Sequence, residues 1–460
     1  MTAQTETAGG FATAAKSAAG YLDQAANSHG AEKIGMTLRA LQTKTGAAHL
    51  VEIGPGGGAA LNHLTETLTA TADRRGTLDV TLIEAPGIVS QTLAEAVENY
   101  NASKLGTCTL ITGFAQELDS ILGRAVDVVA ASALMHEVYS YGNGYRGIHE
   151  MMRTLPIVLK PGGHFAYRDV YTVDAPTLHE TVTQTYTDGV WLQFIRMFVP
   201  QYLSDGRHPY HHSADDPTVR QNSRTVALEK IDPKTSAIIT GPIGLFREIQ
   251  RHYITFRDYA WRSGALGFIP DLDGRFSADW IDADAGHKRV HFTLTESLSP
   301  RQRALMTTVS ERFEDHYVMD GDRFDEWTDA ALVDLLTSAE NGDERCGTVW
   351  GEWIEREGHE TYGYLTPGEL LAKFAISSAE AKTGTVMMPR TLRDVVTAER
   401  AYYTRYLRRL PNPLPDGKLL VLFTNIPVTD TDALTTGLAT LAHLCSREDM
   451  TRLNSALAQM

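Results

Sequence analysis

Residues 49–58 read His-Leu-Val-Glu-Ile-Gly-Pro-Gly-Gly-Gly, an apolar run that leads into a glycine-rich turn. The run is typical of a buried parallel strand, and residues 59–70 after it have the pattern of a helix. Glycine lets the backbone bend sharply and lets a ligand lie against it without a Cβ in between. A strand, a glycine turn and a helix in this order predict a nucleotide-binding crevice at the carboxyl end of the strand.

The spacing of the glycines differs from that of two common phosphate-binding motifs. Gly54, Gly56 and Gly58 alternate, so the two-residue gap of the dinucleotide fingerprint is absent, as is the Gly-Lys-Ser/Thr of a P-loop. Glu52 stands inside the strand, two residues before the first glycine. Because an unpaired buried carboxylate is costly, we expect Glu52 to face a cation or a hydrogen-bond donor.

An acidic residue followed by alternating glycines resembles the first motif of class I S-adenosylmethionine (SAM)-dependent methyltransferases. In that family the turn passes under the amino-acid part of SAM, and the acidic residue helps to hold its ammonium group. The resemblance implies that SAM is the cofactor and that Glu52, Gly54, Gly56 and Gly58 bind it. It also implies an α/β fold with a Rossmann-like seven-stranded methyltransferase sheet.

The second and third strands of such a sheet would contact the adenosine. Residues 80–84 are the second predicted strand, and Glu84 at its tip is placed to accept hydrogen bonds from both ribose hydroxyls. Residues 108–113 are the third predicted strand. The family places the adenine near the end of this strand, which implies contacts from Phe114, Ala115 and Gln116. Phe114 replaces the acidic residue that is usual there.

The turn after the fourth predicted strand, residues 126–132, carries candidate catalytic residues. The resemblance puts the reactive methyl group beside this turn. His136 is a candidate general base because imidazole titrates near neutral pH, and Glu137 could orient it or act as the base itself. The alternative is that His136 only packs or caps the following helix. Further candidates are Ala131 and Ser132 for the cofactor and Tyr139 and Tyr141 for the substrate.

Residues 159–169 complete the series of landmarks. Leu-Lys-Pro-Gly-Gly before a fifth apolar strand is among the most recognisable segments of class I methyltransferases. Asp169, near the end of that strand, is a candidate substrate contact. Four landmarks in the family's order over residues 47–170 extend the resemblance to about a third of the chain.

Composition and charge argue against several other classes of protein. The net charge of −15, with no long basic run, is unfavourable for binding a nucleic-acid backbone. No apolar run approaches the ~18–20 residues of a membrane helix, and residues 1–20 lack the pattern of a secretory signal. Three scattered cysteines fit neither a disulfide framework nor a zinc site. We expect a cytoplasmic protein with a small-molecule acceptor, possible homo-oligomers and no metal.

The pattern beyond the fifth strand predicts an insertion and a return to the sheet. The predicted insertion is mainly helical and acts as a lid over the acceptor; its cluster of His208, His211 and His212 reads as a loop. After it we expect a helix starting at Pro367, strands at 384–389 and 419–424 with a helix from Leu392 to Leu410 between them, and one helix over 430–457. The predicted parts are an N-terminal helical cap (1–45), the SAM-binding core (46–175), the insertion (176–355), the return to the core (356–430) and a C-terminal helix (431–460).

The sequence therefore predicts methyl transfer from SAM to oxygen, nitrogen or carbon of a small metabolite. Ala-Ser-Ala-Leu at residues 131–134 replaces the Asn/Asp-Pro-Pro-Tyr/Phe turn of enzymes that methylate amino groups of nucleobases. Two alternatives stay open. One is a different use of the sulfonium, by aminocarboxypropyl transfer or cyclisation, and the other is a non-catalytic scaffold that only binds SAM.

Overall fold

The first part of the chain alternates strands and helices. The computed structural model describes residues 30–71, 77–170, 178–204, 208–209, 216–271, 276, 289–396, 414 and 417–460. The strands of this first part are β1 (Ala48–Ile53), β2 (Leu78–Glu84), β3 (Cys108–Thr112), β4 (Val126–Ser132) and β5 (Leu159–Val170). The helices are α1 (Gly30–Gln42), α2 (Ala59–Ala70), α3 (Gln91–Ala102), α4 (Leu118–Leu122), α5 (Met135–Tyr141) and α6 (Tyr145–Val158).

The second part of the chain combines helices with two small sheets. Its helices are α7 (Gly189–Ser204), α8 (Ile243–Arg262), α9 (Pro300–Val309), α10 (Gly321–Glu340) and α11 (Glu344–Trp353). One four-stranded sheet contains β6 (Thr181–Tyr186), β7 (Thr218–Gln221), β8 (Arg224–Val226) and β9 (Ala237–Pro242). The other contains β10 (Phe268–Pro270), β11 (Arg289–Leu294), β12 (Glu311–Arg312) and β13 (Tyr317–Asp320). The sequence predicted helices here but did not reveal these sheets.

The last part of the chain returns to the first sheet. It contains α12 (Pro367–Glu380), β14 (Thr385–Val396), β15 (Gly417–Pro427), α13 (Thr431–Leu444) and α14 (Arg447–Leu457). Helix α12 begins as predicted, with the Thr366 side chain accepting a hydrogen bond from the Glu369 amide.

Two predictions for this last part were wrong. The residues from Leu392 to Val396 continue strand β14 instead of beginning a helix, and the rest of the helix predicted up to Leu410 lies outside the described residues. The single helix predicted over 430–457 is two helices. Ser446 accepts a hydrogen bond from the Asp449 amide and so caps a new helix start.

The seven strands of the large sheet lie in the order β14-β15-β5-β4-β1-β2-β3. Strands β1 to β5 pair in parallel, and β15 is antiparallel to β5. From β1 the chain builds outward through β2 and β3, then crosses to β4 on the other side of β1. The carboxyl ends of β1 and β4 therefore form a topological switch point, where ligands bind in open α/β sheets.

Side chains alternate in direction along each strand, and apolar clusters therefore cover both faces of the large sheet. Val51 and Ile53 of β1 join one buried apolar cluster, with Phe165 and Phe423, whereas Leu50 joins another on the opposite face. Successive side chains of a strand point to opposite faces. A sheet that buries both faces under helices is the doubly wound arrangement expected from the sequence.

The chain forms two compact units. The core unit consists of residues 1–171, 364–395 and 418–460, and the inserted unit of residues 172–363 and 396–417. The inserted unit has its own apolar cluster, in which Trp191 stacks on Tyr253 with ring centroids 3.8 Å apart. The finer division into five parts and the role of the insertion as a lid stay predictions.

Two further observations concern the N-terminal helical cap and the apolar content of the helices. Helix α1 lies within the segment predicted to form the N-terminal helical cap (1–45), of which residues 1–29 lie outside the described residues. Within the described part of the chain, no helix has both the length and the apolar content needed to cross a bilayer.

Candidate functional site

The glycine turn after β1 is built from backbone conformations that favour glycine. Gly54, Gly56 and Gly58 all have positive φ, at 65°, 55° and 82°. A Cβ on Gly58 would lie 2.8 Å from the Cβ of Ala96, so a side chain has no room there. Both the conformation and the close packing at Gly58 therefore explain why the turn consists of glycine.

Glu84 closes one side of the turn. Its Oε2 accepts a hydrogen bond from the Gly56 amide at 3.2 Å, and its Oε1 accepts one from the Ala85 amide at 2.8 Å. The carboxylate at the tip of β2 is thus held against the glycine turn. The structure therefore brings together the two features that the sequence analysis assigned to the cofactor.

The residues after β3 lie where the sequence analysis expected an adenine contact. Ala115 begins a short 3-10 helix and is buried, while Phe114 and Gln116 on either side of it are half-buried. The amide of Gln116 packs against Gly142, since a Cβ at that glycine would lie 2.6 Å from Gln116 Nε2. A role of these residues toward adenine stays a prediction.

The turn after β4 contains a strained residue. Ala133 has φ 57°, a left-handed conformation that non-glycine residues adopt at a cost, and its amide donates a hydrogen bond to the Arg168 carbonyl at 2.7 Å. The next residue reaches the glycine turn, because a Cβ on Gly54 would lie 3.0 Å from Leu134 Cδ1. The turns after β1 and β4 are therefore in close contact at the switch point.

His136, in the first turn of α5, forms a buried dyad with Asp169 of β5. His136 Nδ1 lies 2.8 Å from Asp169 Oδ1. The other oxygen of Asp169 accepts hydrogen bonds from the amides of Met135 and His136, at 2.6 and 3.3 Å. Burial raises the pKa of Asp169, but the charge of His136 and these hydrogen bonds outweigh it and hold the pKa below its ordinary value.

The ionised carboxylate of Asp169 fixes the tautomer of His136. A carboxylate only accepts hydrogen bonds, so Nδ1 carries the proton and the lone pair of a neutral ring is on Nε2. The sequence analysis assigned Asp169 to the substrate and gave Glu137 two alternative roles, to orient His136 or to act as the base itself. In the structure His136 Nδ1 donates a hydrogen bond to Asp169, whose side chain is fully buried. Asp169 therefore positions His136, and its contact with a substrate stays a prediction.

The two tyrosines assigned to the substrate differ in their surroundings. Tyr139 is buried, stacks on Tyr364 with centroids 5.6 Å apart and meets Tyr145 edge to face at 5.1 Å. Tyr141, at the end of α5, is half-buried. Tyr139 is thus part of an aromatic cluster of the core unit, and contact of either tyrosine with a substrate stays a prediction.

The end of β4 is tied to β5 and to helix α1. The Ser132 hydroxyl accepts a hydrogen bond from Arg168 Nη1 at 3.0 Å, and Arg168 Nε donates to Glu32 Oε1 at 2.6 Å. Ala131 beside it is buried. The hydroxyl of Ser132 therefore accepts a hydrogen bond within the protein, and contact of Ser132 or Ala131 with the cofactor stays a prediction.

Glu52 lies on the buried side of β1, beside a cavity that it shares with Lys33 of α1. Burial raises the pKa of Glu52 to about 7, against the attraction of Lys33, which lowers it. Burial likewise lowers the pKa of Lys33 to about 8. The expectation that Glu52 would face a cation is therefore met, at a distance, by a lysine that the sequence analysis did not single out.

Lys33, Arg168 and the contact of Asp169 with His136 were missed for different reasons. Arg168 and Asp169 end a strand that lies beside β4 in parallel register, with Ser132 opposite Arg168, so their nearness to His136 could have been inferred from the sheet. Lys33 belongs to an amphipathic helix, and its sequence indicates the apolar face of the helix but not the strands against which that face packs. Only the tertiary fold brings it to β1.

Comparisons with known proteins give matches among solved structures alone. No protein-family model matches the chain, and no curated protein does. The CcbJ methyltransferase of Streptomyces caelestis matches at 17% identity, over 33% of this chain and 55% of that chain, with a TM-score of 0.23. SAM-bound CalS10 of Micromonospora echinaspora, an amino pentose methyltransferase, matches at 23% identity over 34% and 56%, also with a TM-score of 0.23. TrmN of Thermus thermophilus matches at 14% identity over 49% and 53%, with a TM-score of 0.25.

These matches span little more than half the length of each solved chain. We therefore take the fold from the strand order and from the parallel pairing of β1 to β5, which need no comparison. They define a Rossmann-like α/β fold, with β15 antiparallel to β5 at the far side of the sheet. This is the fold that the resemblance to class I methyltransferases implied.

Proposed function

We propose that this chain is a SAM-dependent methyltransferase that acts on oxygen, nitrogen or carbon of a small-molecule acceptor. One observation carries the proposal: the glycine turn, closed by Glu84, contacts the turn that leads to His136. Glu84 hydrogen-bonds Gly56, and Leu134 packs against Gly54 two residues before the histidine. These contacts support a cofactor site and a base at the same switch point of the sheet.

The residues of the site fit an adenosine cofactor with an amino-acid end. The positive φ angles of the three glycines leave backbone without a Cβ for close approach. Glu84 offers a carboxylate for vicinal hydroxyls, and Glu52 offers one for an ammonium group. When bound, SAM would supply a methyl group on a positively charged sulfur. The protein's own contribution is to hold donor and acceptor in line and to keep water away.

His136 supplies proton transfer when the acceptor atom carries a proton. Its Nε2 lone pair takes the proton from a hydroxyl or an amine as the new bond to the methyl group forms. The resulting imidazolium is stabilised by the ionised Asp169 at 2.8 Å from Nδ1, as in other His–Asp pairs. His136 is buried, which favours proton transfer without competition from bulk water.

A small acceptor is supported by charge and by the sequence of the turn after β4. A net charge of −15 disfavours polyanionic acceptors such as nucleic acids. The residues 131–134 lack the Asn/Asp-Pro-Pro-Tyr/Phe pattern of nucleobase amino methylation. Both observations support a metabolite as the acceptor.

The experiment is product analysis with purified protein, SAM and pools of candidate metabolites. Mass spectrometry should detect S-adenosylhomocysteine together with an acceptor heavier by one methylene, and His136→Ala should strongly reduce both. Formation of methylthioadenosine instead would favour aminocarboxypropyl transfer or cyclisation. Absence of SAM binding in isothermal titration would contradict the whole proposal.

A further inference from the structure

The chain turns sharply at Ala133, between β4 and α5. Strand β4 pairs with β5 up to Ser132, which lies opposite Arg168, and α5 begins at Met135. Ala133 links the two elements with φ 57°, in the left-handed region that is unfavourable for a residue with a Cβ. Ala133 is also exposed, so packing of its methyl group does not offset this cost. Stability alone would therefore favour glycine at this position.

The residues on both sides of Ala133 are hydrogen-bonded to the end of β5. The Ser132 hydroxyl accepts a hydrogen bond from Arg168 Nη1 at 3.0 Å, and the Ala133 amide donates one to the Arg168 carbonyl at 2.7 Å. Beyond the turn, the His136 amide donates to Asp169 Oδ2 at 3.3 Å, and His136 Nδ1 lies 2.8 Å from Asp169 Oδ1. The direction in which the chain leaves Ala133 therefore decides whether His136 reaches Asp169.

The same turn directs Leu134 toward the glycine turn after β1. A Cβ on Gly54 would lie 3.0 Å from Leu134 Cδ1, and His136 follows Leu134 two residues later. The conformation of Ala133 thus sets the position of one side chain beside the glycine turn and of another beside Asp169. A strained residue between two such contacts is a reason to look for a functional role.

Resting on the proposed function, we propose that Ala133 is a positioning residue, whose restricted left-handed backbone holds the imidazole of His136 in the orientation that proton transfer requires. Glycine at this position would relieve the strain but would open further backbone conformations to the turn. The first turn of α5 would then separate more often from Asp169. Such freedom affects catalysis because a misplacement of about 1 Å can lower a rate by a factor of about 100.

Two variants of Ala133 test this role. Ala133→Gly should raise the unfolding midpoint in urea, because strain is removed. It should nevertheless make amide exchange of α5, measured by mass spectrometry, about 10-fold faster. It should also lower kcat for S-adenosylhomocysteine formation by about 10- to 100-fold, with SAM affinity unchanged. Ala133→Asn should keep the exchange and the kcat of wild-type protein, because asparagine tolerates the left-handed region without the freedom of glycine.

Lys382→Gly is the matched control. Lys382 is exposed, has φ 55° and lies between α12 and β14. Its replacement should raise the midpoint in the same way and leave both the exchange of α5 and kcat unchanged.

Three results would overturn the proposal. One is wild-type exchange and kcat in Ala133→Gly, and another is an equal loss of kcat in Ala133→Asn and Ala133→Gly. The third is a lower midpoint for Ala133→Gly, which would mean that the turn is not strained. If wild-type protein formed no S-adenosylhomocysteine, the proposed function would be contradicted. Exchange would still decide the role of Ala133, since unchanged exchange of α5 in Ala133→Gly would overturn it and faster exchange would support it.

Discussion

Glu84 uses one carboxylate to organise two backbone segments. It hydrogen-bonds Gly56 in the glycine turn and Ala85 after its own strand. We expect Glu84→Ala to weaken SAM binding by about 1–3 kcal/mol, through loss of charged hydrogen bonds to the ribose. Isothermal titration measures the effect, with Glu98→Ala on the exposed face of α3 as the control. Unchanged affinity in Glu84→Ala would remove this residue from the site.

Substitution of His136 in the His136–Asp169 dyad should affect kcat much more than SAM affinity. His136→Ala should lower kcat by about 10²–10⁴-fold, the usual contribution of a positioned base, with little change in SAM affinity. Asp169→Asn should lower kcat and also alter the pH profile, because an amide no longer fixes the Nδ1–H tautomer. Full activity of His136→Ala would leave the residue a packing side chain of α5.

Glu52 makes stability depend on pH. Its pKa in the folded state, about 7, is above its ordinary value of 4.5. The folded state therefore binds more protons between these values, and the resulting stability, fully present below pH 4.5, is lost as the pH rises through 7. We expect the free energy of unfolding to fall by about 1–3 kcal/mol over this range through Glu52 alone.

Urea unfolding of wild-type protein and Glu52→Gln at pH 5 and pH 8 measures this contribution. The glutamine variant should show a smaller loss of stability between the two pH values, because its side chain does not titrate. An identical loss in both proteins would mean that Glu52 is not the titrating group.

At the scale of elements, the junction of β1 and α2 tolerates substitution poorly. Gly58 combines φ 82° with a Cβ position 2.8 Å from Ala96, so Gly58→Ala should lower the free energy of unfolding by about 1–3 kcal/mol. Gly35 in helix α1 has open space around it, so Gly35→Ala should be neutral or stabilising by about 0.5–1 kcal/mol. Chemical denaturation measures the free energy of unfolding of both variants. Equal effects of the two substitutions would contradict the steric constraint described at Gly58.

The sequence predicted those elements that depend on local pattern. Strands β1 to β4, helix α2 and the capped start of α12 follow from apolar runs, glycine turns and a Thr-Pro helix start. The break at Cys445–Ser446 was missed because the leucines from Leu434 to Leu444 keep helical spacing up to the break itself. The strand at Leu392–Val396 was missed because these residues do not alternate between apolar and polar. In the site, Glu84 was predictable from its strand, whereas Lys33 depends on how α1 docks.

At the scale of the whole molecule, the two units offer separate spectroscopic signals. All six tryptophans fall between residues 172 and 363 of the chain, the main segment of the inserted unit. Because each unit has its own apolar core, we expect two unfolding transitions. Saturation with SAM at about 100 times its Kd should stabilise the core unit by about 2.7 kcal/mol.

Urea titrations followed by far-UV circular dichroism and by tryptophan fluorescence test this expectation. SAM should shift the transition of the core unit seen by circular dichroism and leave the tryptophan midpoint in place. The control is the same titration with adenine alone. An equal shift in both signals would show that the two units unfold together.

The position of β15 has a consequence for synthesis on the ribosome. This strand is the antiparallel neighbour of β5, yet about 250 residues separate them in the chain, so at about 5–20 residues per second β5 waits roughly 12–50 s for its neighbour. During that interval one edge of β5, with Phe165 and Tyr167, lacks its final strand. Unpaired apolar edges recruit other chains. Nascent chains and fragments ending before β15 should therefore depend on holding chaperones to escape aggregation.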